Sequence, residues 1–242
     1  MAAKATKAKG SRVAGAAKAV KTKTVSRKAT GGTAPGLAAR VRALERQLLE
    51  LQKHPLFALA GVLDVARDGR CATLRVTGNL QVVNGSGRTD ITNGCGNLII
   101  GYNETSFVSP QPRTGSHNLI VGRYHGHASY GGVIAGEQNF TTARAPASCV
   151  LGGSEGHVEA PHSVVLGGVE NNGNSQGCVI VGGRDNGANA ANHSVVVGGV
   201  NNRTAASDSS IFGGSVNTAN APGSTILGGQ SLTTTTPGQR IP

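Results

Sequence analysis

Histidines are the residues of this chain whose spacing could support metal chemistry. His117, His162 and His193 each lie five residues before a glycine that ends a short apolar segment. Equivalent positions of stacked repeats form a column, and imidazole is a common ligand for transition metals. The repeats between these histidines interrupt the column with Gly131, Ala147, Gly177, Asp208 and Gly223. His125 and His127 also lie close together, but no carboxylate stands at a ligand spacing from them. We therefore expect no metal site and no cofactor.

Motifs for catalysis are also missing from the sequence. It contains no nucleophile elbow, phosphate-binding loop or metalloprotease motif. The acidic residues after position 53 are scattered over the repeats, and Glu155 and Glu159 are the one pair worth testing as paired carboxylates. The four cysteines form no CxxC pair: Cys71, Cys95, Cys149 and Cys178. The sequence therefore predicts a protein that is not an enzyme.

The elements that must position these residues form a repeat of about fifteen residues. Nine short apolar segments end in glycine, from NLIIG at residues 97–101 to TILGG at residues 225–229. Their first glycines stand at positions 101, 122, 136, 152, 167, 182, 198, 213 and 228. This period is too short for a helix pair or a propeller blade, but it fits one coil of a β-solenoid. We expect an all-β fold, a parallel β-solenoid (β-roll) of about nine coils over residues 97–230.

Both faces of the repeated strand are apolar. The second residue before each first glycine is β-branched and predicts a core ladder inside the solenoid: Ile99, Ile120, Ile134, Val150, Val165, Ile180, Val196, Ile211 and Ile226. The residue directly before the glycine points to the opposite face: Ile100, Val121, Ala135, Leu151, Leu166, Val181, Val197, Phe212 and Leu227. Soluble monomers avoid exposing such a long apolar face. We infer that it is buried between chains in a parallel homotrimer, with another segment of the same chain as the alternative partner.

Asparagine recurs after the glycines. It stands at Asn103, Asn139, Asn171, Asn186, Asn201 and Asn217. Because asparagine tolerates positive φ and bonds to nearby backbone, we expect these residues to form a corner of each coil.

A heptad pattern precedes the repeats. Residues 37–53 read LAARVRALERQLLELQK, and their apolar residues are spaced 4, 3, 4 and 3: Leu37, Val41, Leu44, Leu48 and Leu51. This spacing predicts a short coiled-coil helix over residues 37–54 that sets the number of strands in the trimer. Pro55 would end the helix. A single amphipathic helix packed on the rest of the protein is the alternative.

The positive charge of the chain is concentrated at its N-terminus. The net charge is +11, but residues 54–242 contain ten arginines and ten acidic residues and sum to zero. Residues 1–36 carry nine basic residues and no acidic residue: Lys4, Lys7, Lys9, Arg12, Lys18, Lys21, Lys23, Arg27 and Lys28. We expect a disordered tail that either is simply solvated or binds a polyanion such as DNA without sequence preference.

The remaining segments connect or end these elements. Residues 55–96 predict a β lead-in with a hairpin whose turn is the RDGR sequence at residues 67–70, and residues 231–242 predict a C-terminal cap or tail. The chain has no apolar run long enough to span a membrane and no conventional secretory signal.

The repeats resemble a known family of surface proteins. The segment HSVVVGGVNNRTAASDSSIFGGSVNTANAPGSTILGG at residues 193–229 is similar to the head repeats of trimeric autotransporter adhesins, and related repeats occur in trimeric fibres of bacteriophage type. The resemblance covers residues 97–230. It implies a trimeric, left-handed parallel β-roll and a location at the cell surface. The missing signal peptide and the missing membrane-anchor strands depart from the family and favour the cytoplasm.

Two functions therefore remain open. The first is a trimeric, adhesin-like fibre that presents a rigid surface to a glycan, a protein or an envelope component. The second is an intracellular scaffold whose basic N-terminal tails bind DNA or another polyanion.

Overall fold

The protein divides into two compact units. A computed structural model describes residues 36–55, 59, 61–106, 110–189 and 192–242. The units are Met1–Gly78 and Asn79–Pro242, so their boundary falls inside the segment expected as a β lead-in. All nine basic residues of the expected tail lie outside the described residues.

The first unit contains one helix and one hairpin. Helix α1 (Leu37–Gln52) covers the heptad pattern and ends before Pro55. Strands β1 (Leu63–Asp68) and β2 (Cys71–Val76) are antiparallel, and Gly69 provides the positive φ that their short turn requires. The described residues of this unit contain no fully buried side chain, so its apolar residues have no core of their own.

The second unit is a parallel β-solenoid, as the repeat predicted. Its described strands form two parallel sheets. The ten-stranded sheet consists of β3 (Leu98–Ile100), β4 (Leu119–Arg123), β6 (Val133–Glu137), β8 (Cys149–Ser154), β10 (Val164–Leu166), β12 (Val179–Val181), β14 (Val195–Val197), β16 (Ser210–Ile211), β18 (Thr225–Ile226) and β20 (Arg240–Ile241). The eight-stranded sheet consists of β5 (Gly126–His127), β7 (Phe140–Thr141), β9 (His157–Val158), β11 (Asn172–Gly173), β13 (Gly187–Ala188), β15 (Arg203–Thr204), β17 (Thr218–Ala219) and β19 (Thr233–Thr234).

The described residues complete about eight coils rather than nine. Strand β3 has no counterpart in the eight-stranded sheet, which begins at β5. Within the described residues, no strand of the second sheet covers the inner face of β3 as it covers the later strands. Ile99 is consequently 48% exposed, whereas the other eight residues of the expected core ladder are at most 1% exposed.

The core is narrow because each coil places only a few side chains in it. The ten-stranded sheet contributes one β-branched residue per coil, in register from coil to coil, as in Val165, Ile180 and Val196. The eight-stranded sheet faces it with mostly small residues: His127, Thr141, Val158, Gly173, Ala188, Thr204, Ala219 and Thr234. A large residue on one side and a small one on the other let the two sheets approach closely at normal packing density.

The corners of the coils differ from the expectation for asparagine. The residue with positive φ usually precedes the expected asparagine: Gln138, Glu170, Asp185 and Val216 have φ between 55° and 57°. Only Asn103 and Asn201 of the expected set have positive φ themselves. Asn201 is moreover exposed, and its neighbour Asn202 is the residue equivalent to Asn171 and Asn186. Each corner therefore contains two successive residues. The first has positive φ and lies on the outside, and the second is buried.

The buried position forms an asparagine ladder, which we define as Asn139, Asn171, Asn186, Asn202 and Asn217. Each of these side chains is 0% exposed. The Nδ2 group of Asn186 donates to the carbonyl oxygens of Gly182 at 3.2 Å and of Gly199, on the next coil, at 3.1 Å. Its Oδ1 accepts the backbone N–H of Asn202 at 3.0 Å. One amide therefore satisfies buried backbone groups on two coils, where water does not reach them.

The C-terminal segment continues the solenoid. Residues 231–242, expected as a cap or a tail, contain strands β19 and β20, and Ile241 stands fifteen residues after Ile226 and pairs with it. Leu232 and Ile241 pack against the core cluster. These twelve residues therefore close the end of the core.

We expect Asn186→Ala to lower the free energy of unfolding by about 2 kcal/mol, because it leaves buried backbone groups on two coils without partners. Asn192→Ala is the matched control, since Asn192 is exposed, whereas Asn186 is buried. The control should change stability by less than about 0.5 kcal/mol. Urea unfolding followed by circular dichroism measures both, and equal midpoints for the two variants would contradict the role of the ladder.

Candidate interaction surface

The outer face of the ten-stranded sheet carries a continuous apolar stripe. It contains the residues directly before the first glycines: Ile100, Val121, Ala135, Leu151, Leu166, Val181, Val197, Phe212 and Leu227. The large side chains of Ile100, Leu151, Leu166, Phe212 and Leu227 are between 38% and 57% exposed. The strands lie in register, so the side chains form one column along the sheet. We call this column the apolar stripe.

A second outward column widens the stripe. Residues two positions earlier in each strand point to the same face, because side chains alternate along a strand. They are Leu98, Leu119, Val133, Cys149, Val164, Val179, Val195, Ser210 and Thr225. Most of them are half-buried. The alternation of side chains along each strand predicts this column as well as the first. The face becomes more polar at its C-terminal end, where serine and threonine replace the aliphatic residues.

The length of the apolar stripe determines how much apolar surface a partner could cover. Neighbouring strands lie about 4.8 Å apart, so nine strands extend over about 40 Å. Neither column contains a charged side chain between Leu98 and Leu227. A face of this length without charge resembles the core of a permanent interface more than the surface of a monomer.

The heptad residues also present an apolar face. Leu37, Val41, Leu44, Leu48 and Leu51 are all exposed on α1, and none of the helix residues is buried. A 16-residue helix is only marginally stable alone in water, because ordering its first turn costs more conformational entropy than its first hydrogen bond contributes. The described residues of the first unit supply no partner for this seam.

The three repeated histidines do not form a site. His162 and His193 occupy left-handed corner positions, with φ of 58° and 57°. His193 has its Nδ1 3.7 Å from the Asp208 carboxylate, and His117 bonds to the backbone of Asn84 and Thr89. In the part of the chain that the structure describes, no three His, Cys, Asp or Glu residues gather as metal ligands would. Glu155 precedes strand β9 and Glu159 follows it, and the Glu159 carboxylate lies 3.6 Å from Nδ1 of His157.

A buried histidine takes the place of asparagine in one coil, and the sequence analysis missed it. His125 is 0% exposed and accepts the backbone N–H of Asn139 through Nδ1 at 3.2 Å. Its Nε2 lies 3.0 Å from the Val121 carbonyl oxygen, four residues earlier, as Nδ2 does in the ladder. This pattern requires the neutral ring with its proton on Nε2. The coil of His125 has one glycine instead of two, which hides the equivalence in the sequence.

Burial keeps this histidine neutral. It lowers the pKa of His125, and the positive charge of Arg113 acts in the same direction. Burial also lowers the pKa of the neighbouring core residue His127 to about 4. Protonation of His125 would place an N–H opposite the N–H of Asn139 and break the bond between two coils. The arrangement is structural, and it couples the stability of the first coils to pH.

Comparison of the chain with known protein families, with curated proteins and with solved structures finds no match. Among the described residues, no helix has the length and the apolar composition needed to cross a membrane.

We expect the stability of the solenoid to fall as the pH drops below about 6.5, the usual pKa of histidine in an unfolded chain. The pKa of His125 is lowered in the folded protein, so the unfolded chain binds a proton at a higher pH than the folded protein does. Stability therefore keeps falling with pH until His125 is protonated in the folded protein as well. His125→Asn should keep the ladder and reduce this dependence. Thermal unfolding between pH 7.5 and 5 measures the effect.

His162→Asn is the control for this measurement, because His162 is exposed at a corner where asparagine is tolerated. It should leave the pH dependence unchanged. An identical dependence in the wild type and in His125→Asn would exclude His125 as its source.

Proposed function

We propose that this protein is a non-enzymatic structural protein, a trimeric and adhesin-like fibre whose solenoid presents a rigid surface for attachment. The observation that carries the proposal is the apolar stripe. Its exposed side chains can be removed from water only by another surface, and copies of the same chain offer a surface of equal length and spacing. Closed cyclic symmetry then prevents unlimited growth of the assembly.

The helix α1 supports three copies in parallel. Its seam precedes the β hairpin and the repeats in the sequence, and a parallel coiled coil would bring the N-termini of the chains together. Parallel chains in turn place equivalent strands at equivalent heights, which lets the stripes meet residue by residue. The short period, the β-branched strand and the glycine corner are similar to those of trimeric autotransporter heads and of bacteriophage-type fibres.

The solenoid is suited to presentation rather than to catalysis. Each coil rests on its neighbours through in-register strands and the asparagine ladder, so the coils cannot slide past one another. The left-handed corner residues and the outer face of the eight-stranded sheet stay outside the proposed interface. These surfaces are available to a glycan, a protein or an envelope component.

We expect Leu166→Glu to separate the trimer into monomers, because it places one charge per chain in the middle of an apolar interface. Asn220→Glu is the control, since Asn220 is exposed outside the stripe. Sedimentation velocity of the full chain at micromolar concentration should give three copies for the wild type and the control, and one for Leu166→Glu. A monomeric wild type would overturn the proposal and favour a segment of the same chain as the partner of the stripe.

The scaffold function remains the second candidate, and charge segregation favours it. Nine basic residues occupy the first 36 positions, while residues 54–242 are neutral. Three tails in one assembly would bind a polyanion with avidity.

Removal of residues 1–36 should abolish the binding of double-stranded DNA if this second function holds. Binding of the intact chain should weaken steeply with salt, because phosphate contacts release counterions. Fluorescence anisotropy between 50 and 200 mM salt separates the outcomes. Equal binding by the intact and the shortened chain would exclude the tail as the binding element.

A further inference from the structure

A groove lies on the corner beside the eight-stranded sheet, away from the apolar stripe. Its volume is about 240 Å³, and it is lined by Gln111, Gln138, Phe140, Glu155, Gly156 and His157. The residues come from two successive coils and from the loop before β4. The groove is complete within one chain.

An aromatic surface forms one wall of the groove. The rings of Phe140 and His157 stack with centroids 4.9 Å apart and planes inclined by 30°. On the preceding coil, Gly126 stands beside Phe140, and any side chain there would meet both the phenyl ring and Gln111. The missing side chain therefore lets the ring and the loop lie against the coil. Phe140 is half-buried, so its ring is fixed by its neighbours and still partly accessible.

Hydrogen-bonding groups line the other side. Gln138 and Glu155 occupy the same corner position of consecutive coils, with φ of 55° and 57°. The amide of Gln138 offers a donor and an acceptor, whereas the carboxylate of Glu155 only accepts. Both residues have the same corner conformation, and their backbones are separated by the spacing of neighbouring coils, about 4.8 Å.

His157 has a ring nitrogen without a partner among the described residues. Its Nδ1 lies 3.6 Å from the Glu159 carboxylate, which favours the proton on that nitrogen. Its Nε2 is buried and has no hydrogen-bond partner in the described residues. Buried polar atoms are seldom left unpaired, so this nitrogen marks a place beside the groove where a hydrogen-bond donor is missing.

We propose that this groove binds a pyranose ring of an uncharged oligosaccharide. A pyranose has an apolar face of C–H groups, which fits the phenyl ring, and hydroxyl groups at its rim, which both donate and accept. The groove offers the complementary set, a phenyl ring beside an amide and a carboxylate. The carboxylate of Glu155 opposes an anionic sugar. The open shape admits a ring within a longer chain, which can continue along the sheet over Asn172.

This inference deepens the proposed function, because it names a ligand class for the rigid surface. The two ideas fail separately. The oligomeric state tests the role of the apolar stripe. Sugar binding tests the groove, which lies within a single chain.

The test uses the full chain with three uncharged probes, cellohexaose, maltohexaose and chitohexaose. Isothermal titration calorimetry and saturation-transfer NMR measure binding. At least one probe should bind, and Glu155→Gln and Phe140→Leu should each weaken it about tenfold. Glutamine is compatible with this corner, because Gln138 occupies the equivalent position with nearly the same φ.

Glu170→Gln is the matched control, since Glu170 has the same corner conformation one coil further along and does not line the groove. It should bind the probe like the wild type. Circular dichroism of each variant shows whether the coils remain folded. The proposal is wrong if none of the probes binds the wild type, or if Glu155→Gln and Glu170→Gln bind alike.

Discussion

The structure depends on hydrogen bonding at the buried corner of each coil. A short coil must turn sharply, and the turn leaves glycine carbonyl oxygens inside the protein where water cannot reach them. The side chains of Asn171, Asn186, Asn202 and Asn217 satisfy these oxygens on their own coil and on the next. The same side chains hold the next coil through its backbone N–H. Register between coils is therefore fixed by polar contacts, and the aliphatic core only has to fill the space between the two sheets.

Fixed register explains why the outer faces are organised as columns. A coil that cannot slide keeps each outward residue above its equivalent in the previous coil. An apolar residue that recurs in every coil therefore forms a stripe, and a recurring corner residue forms a column along the corner. The ten-stranded sheet uses this for an apolar face, whereas the eight-stranded sheet carries Phe140, His157 and Asn172 at successive heights. The two faces of one solenoid therefore differ in chemistry, one aliphatic and the other aromatic and polar.

The sequence predicted the parts of the fold that depend on large apolar residues. The period, the parallel ladder and the β-branched core positions follow from nine similar segments. The eight-stranded sheet was missed because its strands have two residues each, and glycine, alanine and threonine give no apolar period. The corner was misjudged at the doublet Asn201–Asn202, where the local sequence does not show which residue is buried. His125 was missed because its role appears only once the coils are aligned in space, and the groove joins residues of separate coils that no local motif connects.

The asparagine ladder also determines how such a protein can change in length. The coils of Asn171, Asn186 and Asn202 make equivalent bonds to the coil that follows, so one of them can be inserted or deleted while the surviving contacts stay intact. A gain or loss of fifteen residues changes the length of the solenoid and the length of its apolar stripe by the same fraction. Duplication of single coils would therefore lengthen both features in one step.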